Sequence, residues 1–320
     1  MKDRYGRTIE YMRISITDRC NMRCRYCMPD GIEKVPMDRI LSYEEILRIA
    51  EAAVGLGITK FKVTGGEPLV RLGCPELVRS LKEIPGTEQV TLTTNGMELA
   101  AYMDELAAAG IDGINVSLDT MDEEKFRYIT KCGDLSKVMS GIDAAIASGV
   151  RTKINCVPQR GFNEAEIEDF ARLAFERGID VRFIELMPVG SGDPDKGISN
   201  EYVLERLKKV YPALEADDSV HGNGPAVYYH IPGAQGSIGL ISAMHRVFCS
   251  SCNRLRLTSQ GLIKPCLCYE ENVDLRPALG GSIEEIREKI AEAIDMKPGQ
   301  HCFNNDSGNT ERKTMSQIGG

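Results

Sequence analysis

The sequence predicts an α/β protein, an incomplete (β/α)6 TIM-like barrel followed by an irregular C-terminal extension. Six segments with strand character, each followed by helical sequence, succeed one another as far as about residue 190, which favours a parallel sheet built from βαβ units. The alternation of strands and helices then ends, and six units are too few for a complete eight-stranded barrel. Periodicity alone does not separate an incomplete barrel from a flat doubly wound sheet. We therefore expect a barrel over residues 1–190 and a second region over 191–320.

The elements follow from local patterns. The predicted strands are 11–17, 60–64, 89–93, 113–118, 152–157 and 180–186. The predicted helices are 42–53, 76–83, 97–109, 122–129, 136–148, 163–177, 200–210 and 282–294. Two helices begin with capping boxes, Ser42 with Glu45 and Ser282 with Glu285. The polar tail 297–320 is expected to be poorly ordered on its own.

Composition and charge narrow the function classes. The chain has 320 residues, 42% of them hydrophobic, and a formal net charge of −8, which disfavours non-specific binding to nucleic acid or an anionic membrane. No apolar run approaches the roughly 20 residues that span a bilayer, and no signal-peptide core follows Met1, so a cytoplasmic location is expected. The odd number of cysteines, 11, favours metal or redox chemistry over a disulfide framework.

The most specific motif is a group of three closely spaced cysteines. Cys20, Cys24 and Cys27 are separated by three and then two residues. Iron–sulfur clusters usually have four cysteine ligands, so a three-cysteine loop would leave one iron of a cubane open. The alternative is a zinc knuckle, which needs four ligands, and no histidine or fourth cysteine lies nearby.

Several predicted strands carry polar residues at alternate positions. Side chains at positions i and i+2 share one face of a strand, and strands flanked by helices are buried on both faces. A set formed by Arg13, Lys60, Lys62 and Lys153 would therefore line a basic cavity suited to a polyanion. For Arg182 the alternation pattern does not show which face of its strand the side chain is on. The alternative is that these rows face solvent.

A second cysteine group lies in the C-terminal region. Cys249, Cys252 and Cys266 again offer three ligands. The alternative is a zinc site completed by Cys268 or His245, and Cys268 also competes with Cys266 as the third ligand.

Two arginines follow this second group at alternate positions. Arg254 and Arg256 share a strand face with Cys252, which would place two planar guanidinium groups, able to bind phosphate in bidentate fashion, beside the metal site. The alternative is a surface strand with solvated arginines.

Taken in order along the chain, these motifs resemble the GTP 3′,8-cyclase family of the radical S-adenosylmethionine (SAM) superfamily. The resemblance rests on residues 12–29 (MRISITDRCNMRCRYCMP), 63–68 (VTGGEP), 92–96 (LTTNG), 115–119 (NVSLD), 182–187 (RFIELM), 248–257 (FCSSCNRLRL) and the terminal Gly319-Gly320.

The resemblance implies a role for each matching residue. A 4Fe–4S cluster that binds SAM would be held by Cys20, Cys24 and Cys27, and SAM would be contacted by Tyr26, Gly66, Ser117 and Met187. A second 4Fe–4S cluster, with its open iron facing guanine, would be held by Cys249, Cys252 and Cys266. GTP would be contacted by Arg13, Lys62, Thr93, Lys153, Arg254 and Arg256, and the predicted catalytic residues are Arg254, Arg256, Gly319 and Gly320. The family typically has arginine at position 62. Lys62 keeps the positive charge but lacks the guanidinium group that can bind phosphate in bidentate fashion.

The resemblance also implies an activity and partners. The expected reaction is the radical cyclisation of GTP that begins molybdenum cofactor biosynthesis. The expected partners are an external one-electron reductant and a downstream cyclic pyranopterin monophosphate synthase, and a homodimer is possible. The alternatives are a peptide-modifying radical SAM enzyme with an auxiliary cluster, and a zinc-dependent binding protein without catalysis. The cysteines outside the two groups are expected to be structural thiols: Cys74, Cys132, Cys156, Cys268 and Cys302.

Overall fold

The centre of the molecule is a parallel sheet. The computed structural model describes residues 1–28, 31, 35–245, 248–303, 311 and 313–318. Its strands are β1 (Tyr11–Ser15), β2 (Lys60–Thr64), β3 (Gln89–Thr94), β4 (Gly113–Ser117), β5 (Thr152–Cys156), β6 (Asp180–Ile184), β7 (Glu215–Asp217), β8 (Val227–His230), β9 (Ser237–Ile241), β10 (Arg254–Leu257), β11 (Leu262–Lys264) and β12 (Val273–Asp274). Strands β1 to β6 are hydrogen-bonded in chain order and all parallel, which confirms the predicted βαβ barrel.

The C-terminal region contributes two more parallel strands to the same sheet. Strand β10 pairs with β1, and β9 pairs with β6. Antiparallel strands follow at each edge, so the order is β12-β11-β10-β1-β2-β3-β4-β5-β6-β9-β8-β7, and within the described residues the two edges do not pair with each other. The barrel is therefore incomplete, as predicted, but its sheet continues beyond residue 190.

Helices lie between the strands of the barrel and, for the last two of them, after the last strand. They are α1 (Tyr43–Gly55), α2 (Cys74–Glu83), α3 (Leu99–Ala108), α4 (Glu123–Thr130), α5 (Leu135–Ala147), α6 (Ile167–Arg177), α7 (Asn200–Val210), α8 (Arg276–Leu279) and α9 (Ile283–Asp295). Both predicted capping boxes are present, at the starts of α1 and α9. The helices bury apolar residues against the sheet, as where the rings of Phe170 on α6 and Phe183 on β6 meet edge to face at 6.4 Å.

The described part of the tail packs against the rest of the chain. Lys297, Ser316 and Ile318 are buried, so this part of the tail is held by its contacts with the rest of the chain. Cys268 and Cys302 form a disulfide with Cα atoms 6.0 Å apart. This corrects the expectation that both are thiols, because the tail folds back and brings them together.

A buried ion pair also holds the tail. Lys264 on β11 pairs with Glu311, and the two side chains are 2% and 1% exposed. Because removing one partner leaves an uncompensated buried charge, Glu311→Ala should lower the free energy of unfolding by about 3–5 kcal/mol in urea titrations. The matched control is Glu292→Ala, which removes an exposed pair with Lys289 and should cost less than about 1 kcal/mol. Equal losses for the two variants would contradict the prediction.

Candidate active site

One cavity runs through the inside of the barrel, and both cysteine groups face it. We call this space of about 340 Å³ the main cavity. Its lining includes Cys20, Cys24, Cys27, Cys249, Cys252 and Cys266. The first group follows the carboxyl end of β1, whereas Cys249 and Cys252 precede the amino end of the parallel strand β10. The two groups therefore lie at opposite ends of the barrel.

The first cysteine loop is held by hydrogen bonds to its surroundings. The backbone N–H of Arg23 donates to the carbonyl of Thr130 at 3.0 Å, at the end of α4. The hydroxyl of Tyr26 donates to Asp119 Oδ2 at 2.7 Å, beyond the end of β4. The N–H of Met22 points at the sulfur of Cys20 at 3.3 Å. These bonds fix the loop so that its sulfurs stay directed at the cavity.

The donor chemistry of the first group fits an iron–sulfur cluster. Burial raises the pKa of Cys20 to about 11 and also raises the pKa of Cys24 and Cys27, so binding of a cluster would release a proton from these thiols. Within the described residues, no three His, Cys, Asp or Glu side chains are grouped so as to hold one metal ion. In a cubane, by contrast, each thiolate binds a different iron.

The second group lies in a positively charged environment. Burial raises the pKa of Cys252, but the charges of Arg254 and Lys297 outweigh it and bring the value down to about 6. Burial raises the pKa of Cys249. Because thiolates are the form that ligates iron, the nearby cations favour a metal site here as well.

Gly66 lies where two loops touch. A Cβ atom at this position would be 2.4 Å from the carbonyl oxygen of Arg19 and 2.7 Å from that of Asp18, so only glycine lets the turn after β2 approach the cysteine loop. The N–H of Gly66 donates to Thr17 at 2.8 Å. The turn and the loop therefore keep a fixed relation to each other.

Glu67 was not assigned a role from the sequence, although it stands in the VTGGEP motif. Its buried carboxylate accepts hydrogen bonds from the hydroxyl of Thr94 at 2.7 Å and from the N–H of Asn95 at 2.6 Å. Burial raises the pKa of Glu67 to about 7 despite these bonds. Glu67 thus joins the turns after β2 and β3 at one side of the main cavity.

The structure brings most of the predicted contact residues to the main cavity. Its lining includes Tyr26, Gly66, Ser117, Met187, Arg13, Thr93, Arg254 and Arg256. Their individual roles remain predictions. Gly319 and Gly320 lie outside the described residues.

Cations from neighbouring strands form a continuous row. Arg256 on β10 is in register with Arg13 on β1, which is in register with Lys62 on β2. Burial, followed by the charges of Arg182 and Arg13, holds the pKa of Lys62 well below its usual range. The Nε of Arg13 is buried without a hydrogen-bond partner in the described structure. Such a row is stabilised by a polyanion, which supplies acceptors and opposite charge.

A smaller space lies at the amino ends of β3, β4 and β5. This basal cavity of about 60 Å³ is lined on its basic side by Lys62, Arg151, Lys153 and Arg182. The predicted GTP contacts are therefore divided, with Lys62 and Lys153 at the basal cavity and the others at the main cavity. Arg182, whose direction the sequence left open, also faces the basal cavity, and it donates to Asn115.

Lys60 does not join the basic set that the sequence predicted. Its ammonium group pairs with Glu10 at 2.9 Å and lies 3.8 Å from Glu88. Lys60 is the first residue of β2, where acidic residues on the neighbouring connections reach it. The inward basic set is therefore Arg13, Lys62 and Lys153.

The fold and the site define a class of protein. Residues 14–174, which include the three-cysteine loop after the first strand, match a family model described as "Radical SAM superfamily", and residues 179–303 match a model described as "Molybdenum Cofactor Synthesis C". Among curated relatives, the GTP 3′,8-cyclase of Alkaliphilus oremlandii (strain OhILAs) is 46% identical over the whole of both chains. That of Peptoclostridium acidaminophilum is 47% identical over 99% of this chain and 98% of its own. The chain belongs to the GTP 3′,8-cyclase family of radical SAM enzymes.

Solved structures share the fold at low identity. SuiB of Streptococcus suis bound to S-adenosylmethionine is 15% identical, with a TM-score of 0.66 over 87% of this chain and 65% of that one. Native anSMEcpe with bound AdoMet is 15% identical, with a TM-score of 0.56 over 97% of this chain and 92% of that one. No helix in the described part of the chain is both long and apolar enough to cross a membrane.

Proposed function

We propose that this chain converts GTP to (8S)-3′,8-cyclo-7,8-dihydroguanosine 5′-triphosphate, the first step of molybdenum cofactor biosynthesis. The observation that carries the proposal is the pair of three-cysteine groups at opposite ends of one cavity, with a row of cations beside the second group. The full-length relatives are named GTP 3′,8-cyclase, which favours this reaction over peptide modification. A zinc-dependent binding protein would not need the cation row.

The residues present fit two 4Fe–4S clusters and SAM. When bound, the first cluster and SAM would supply the radical chemistry that starts the cyclisation of GTP. The protein contributes position and exclusion of water. Gly66 would present its backbone to SAM, because glycine has no side chain in the way. Tyr26 lies on the cavity wall with its hydroxyl fixed by Asp119.

The cation row would hold the nucleotide at the other end of the barrel. Arg254 and Arg256 lie beside the second cysteine group, and Arg13 and Lys62 continue the row towards the basal cavity. GTP bound with guanine at the second cluster and phosphates along the row would place its ribose towards the first cluster. That arrangement keeps the reacting carbon near the source of the radical.

The proposal is tested by cofactor content and turnover together. Anaerobically reconstituted protein should contain about eight irons per chain, two cubanes' worth, and with SAM, dithionite and GTP it should release 5′-deoxyadenosine and a cyclised nucleotide. Removal of the ligands Cys249 and Cys252 by alanine substitution should leave about four irons and stop cyclisation. Zinc in the second site, or no cyclised nucleotide from fully loaded protein, would overturn the assignment.

We also propose the partners that this reaction needs. Because the product is an isomer of GTP while SAM is consumed to methionine and 5′-deoxyadenosine, each turnover takes two electrons and a proton. An external one-electron reductant would supply these electrons in two steps, and a cyclic pyranopterin monophosphate synthase would consume the product. The expected location of this chemistry is the cytoplasm, and the proposal allows a homodimer without requiring one.

A further inference from the structure

The basal cavity contains a lysine whose donors are all engaged. An ammonium group has three N–H donors. The Nζ of Lys153 lies 2.8 Å from Asp180 Oδ2 and 3.0 Å from the hydroxyl of Tyr228, and it donates to the backbone carbonyl of His221. Lys153 is thus fixed in place, but the carboxylate of Asp180 also offsets its charge.

His221 shares the same carboxylate. Its Nδ1 lies 3.0 Å from Asp180 Oδ2, the oxygen that also meets Lys153, and its Nε2 lies 2.7 Å from Asp217 Oδ2. The imidazole is stacked on the ring of Tyr228 with centroids 3.9 Å apart. The side chain is 14% exposed. His221 is therefore held from three sides, in the segment between β7 and β8.

The neighbouring residues make the cavity basic overall. Lys62, Arg151 and Arg182 line it together with Lys153. Asp112, the acidic residue of the lining, is already paired with Lys82 at 2.8 Å. What limits the attraction for an anion here is chiefly Asp180, because its carboxylate lies directly against Lys153.

We propose that His221 is a positioning residue for the phosphate chain of the nucleotide. Its ring donates a hydrogen bond to Asp180, which weakens the interaction of that carboxylate with Lys153. Its backbone carbonyl accepts a hydrogen bond from Lys153 and so helps to keep the ammonium group in place. A phosphate oxygen that replaces the His221 carbonyl then meets a lysine that Asp180 and Tyr228 still hold in place and whose charge is only partly offset. The inference rests on the proposed function and adds a residue outside the predicted GTP contacts.

The test compares nucleotides that differ in phosphate number. With both clusters reconstituted anaerobically, Kd values for GTP and GMP are measured by titration for the wild type, His221→Ala, His221→Asn and the control His230→Ala, which alters a histidine on β8 outside the basal cavity lining. Since a charge-assisted hydrogen bond is affected, His221→Ala should raise the Kd for GTP about tenfold and that for GMP less than about twofold. The KM for GTP should rise while kcat is nearly unchanged.

The conservative variant separates positioning from simple loss of structure. Asparagine can place an amide N–H where the histidine has Nδ1, so His221→Asn should recover most of the GTP affinity, and His230→Ala should match the wild type. If His221→Ala does not fold, Asp217→Asn loosens the ring from its other side and should raise the Kd for GTP in the same direction. Equal losses for GTP and GMP, or no rescue by asparagine, overturn the role of His221. If the wild type binds no GTP, both the role of His221 and the proposed function are wrong.

Discussion

Replacing Arg254 and Arg256 by alanine together should lower the affinity for GTP by about a hundredfold or more. A hydrogen bond to a charged group contributes about 1.5–3 kcal/mol, and the double variant removes two guanidinium groups from the wall of the main cavity. Arg256 is only 9% exposed, so water screens its charge poorly. Titration of the anaerobic, cluster-loaded protein with GTP measures the loss.

The controls for this prediction address folding and specificity. SAM affinity should stay within about threefold of the wild-type value, because the SAM contacts are predicted at the other end of the barrel. Arg127→Ala removes an exposed arginine paired with Glu123 and should leave GTP affinity unchanged. Unchanged GTP affinity in the double variant would remove the basis for the assigned substrate.

Gly66→Ala should reduce SAM affinity by about a hundredfold. The added Cβ would lie 2.4 Å from a backbone oxygen of Arg19, and backbone atoms cannot rotate away as a flexible side chain can. The turn after β2 and the cysteine loop must therefore separate, which disturbs both the predicted SAM contact and the cluster ligands. A misplacement of about 1 Å can lower a reaction rate about a hundredfold, and we expect a loss of similar size in SAM affinity.

The matched control is Gly280→Ala. An added Cβ at Gly280 meets nothing within 4 Å, and its φ of −82° suits any residue. Its SAM affinity and iron content should equal those of the wild type. If Gly66→Ala also binds SAM normally, the close approach of the two loops is not what positions the cofactor.

Alternation of apolar and polar residues was enough to place strands of the parallel sheet, although alone it did not distinguish an incomplete barrel from a flat sheet. It placed the strand at 11–17, which the structure has at Tyr11–Ser15, and the strand at 60–64, which the structure has at Lys60–Thr64. The signal is strong because these strands are regular and each is followed by a capped or amphipathic helix. The same signal predicted that Lys62 faces inward.

Other features depend on contacts between distant parts of the chain. Lys60 has the same alternation as Lys62, but Glu10 lies close enough to pair with it. The disulfide joins Cys268 to Cys302 across 34 residues, so it becomes visible only when the tail is folded back. His221 stands in a glycine-rich stretch without periodicity, and its two carboxylate partners come from β6 and β7.

The pairing of β10 with β1 has a consequence for how the two ends of the barrel are spaced. One strand pair connects the first cysteine loop, after β1, to the second cysteine group, before β10. Five residues of β1 at about 3.3 Å each span roughly 17 Å, so the length of this strand sets the distance between the two cysteine groups, over which radical and substrate must meet. Inserting one residue into β10 after Arg256 would shift the end of that strand that carries the second cysteine group by about 3.3 Å. It would also turn Arg254 and Arg256 to the opposite face of the sheet. The register of the β1–β10 pair therefore determines where the reacting hydrogen of the substrate lies relative to the first cysteine loop.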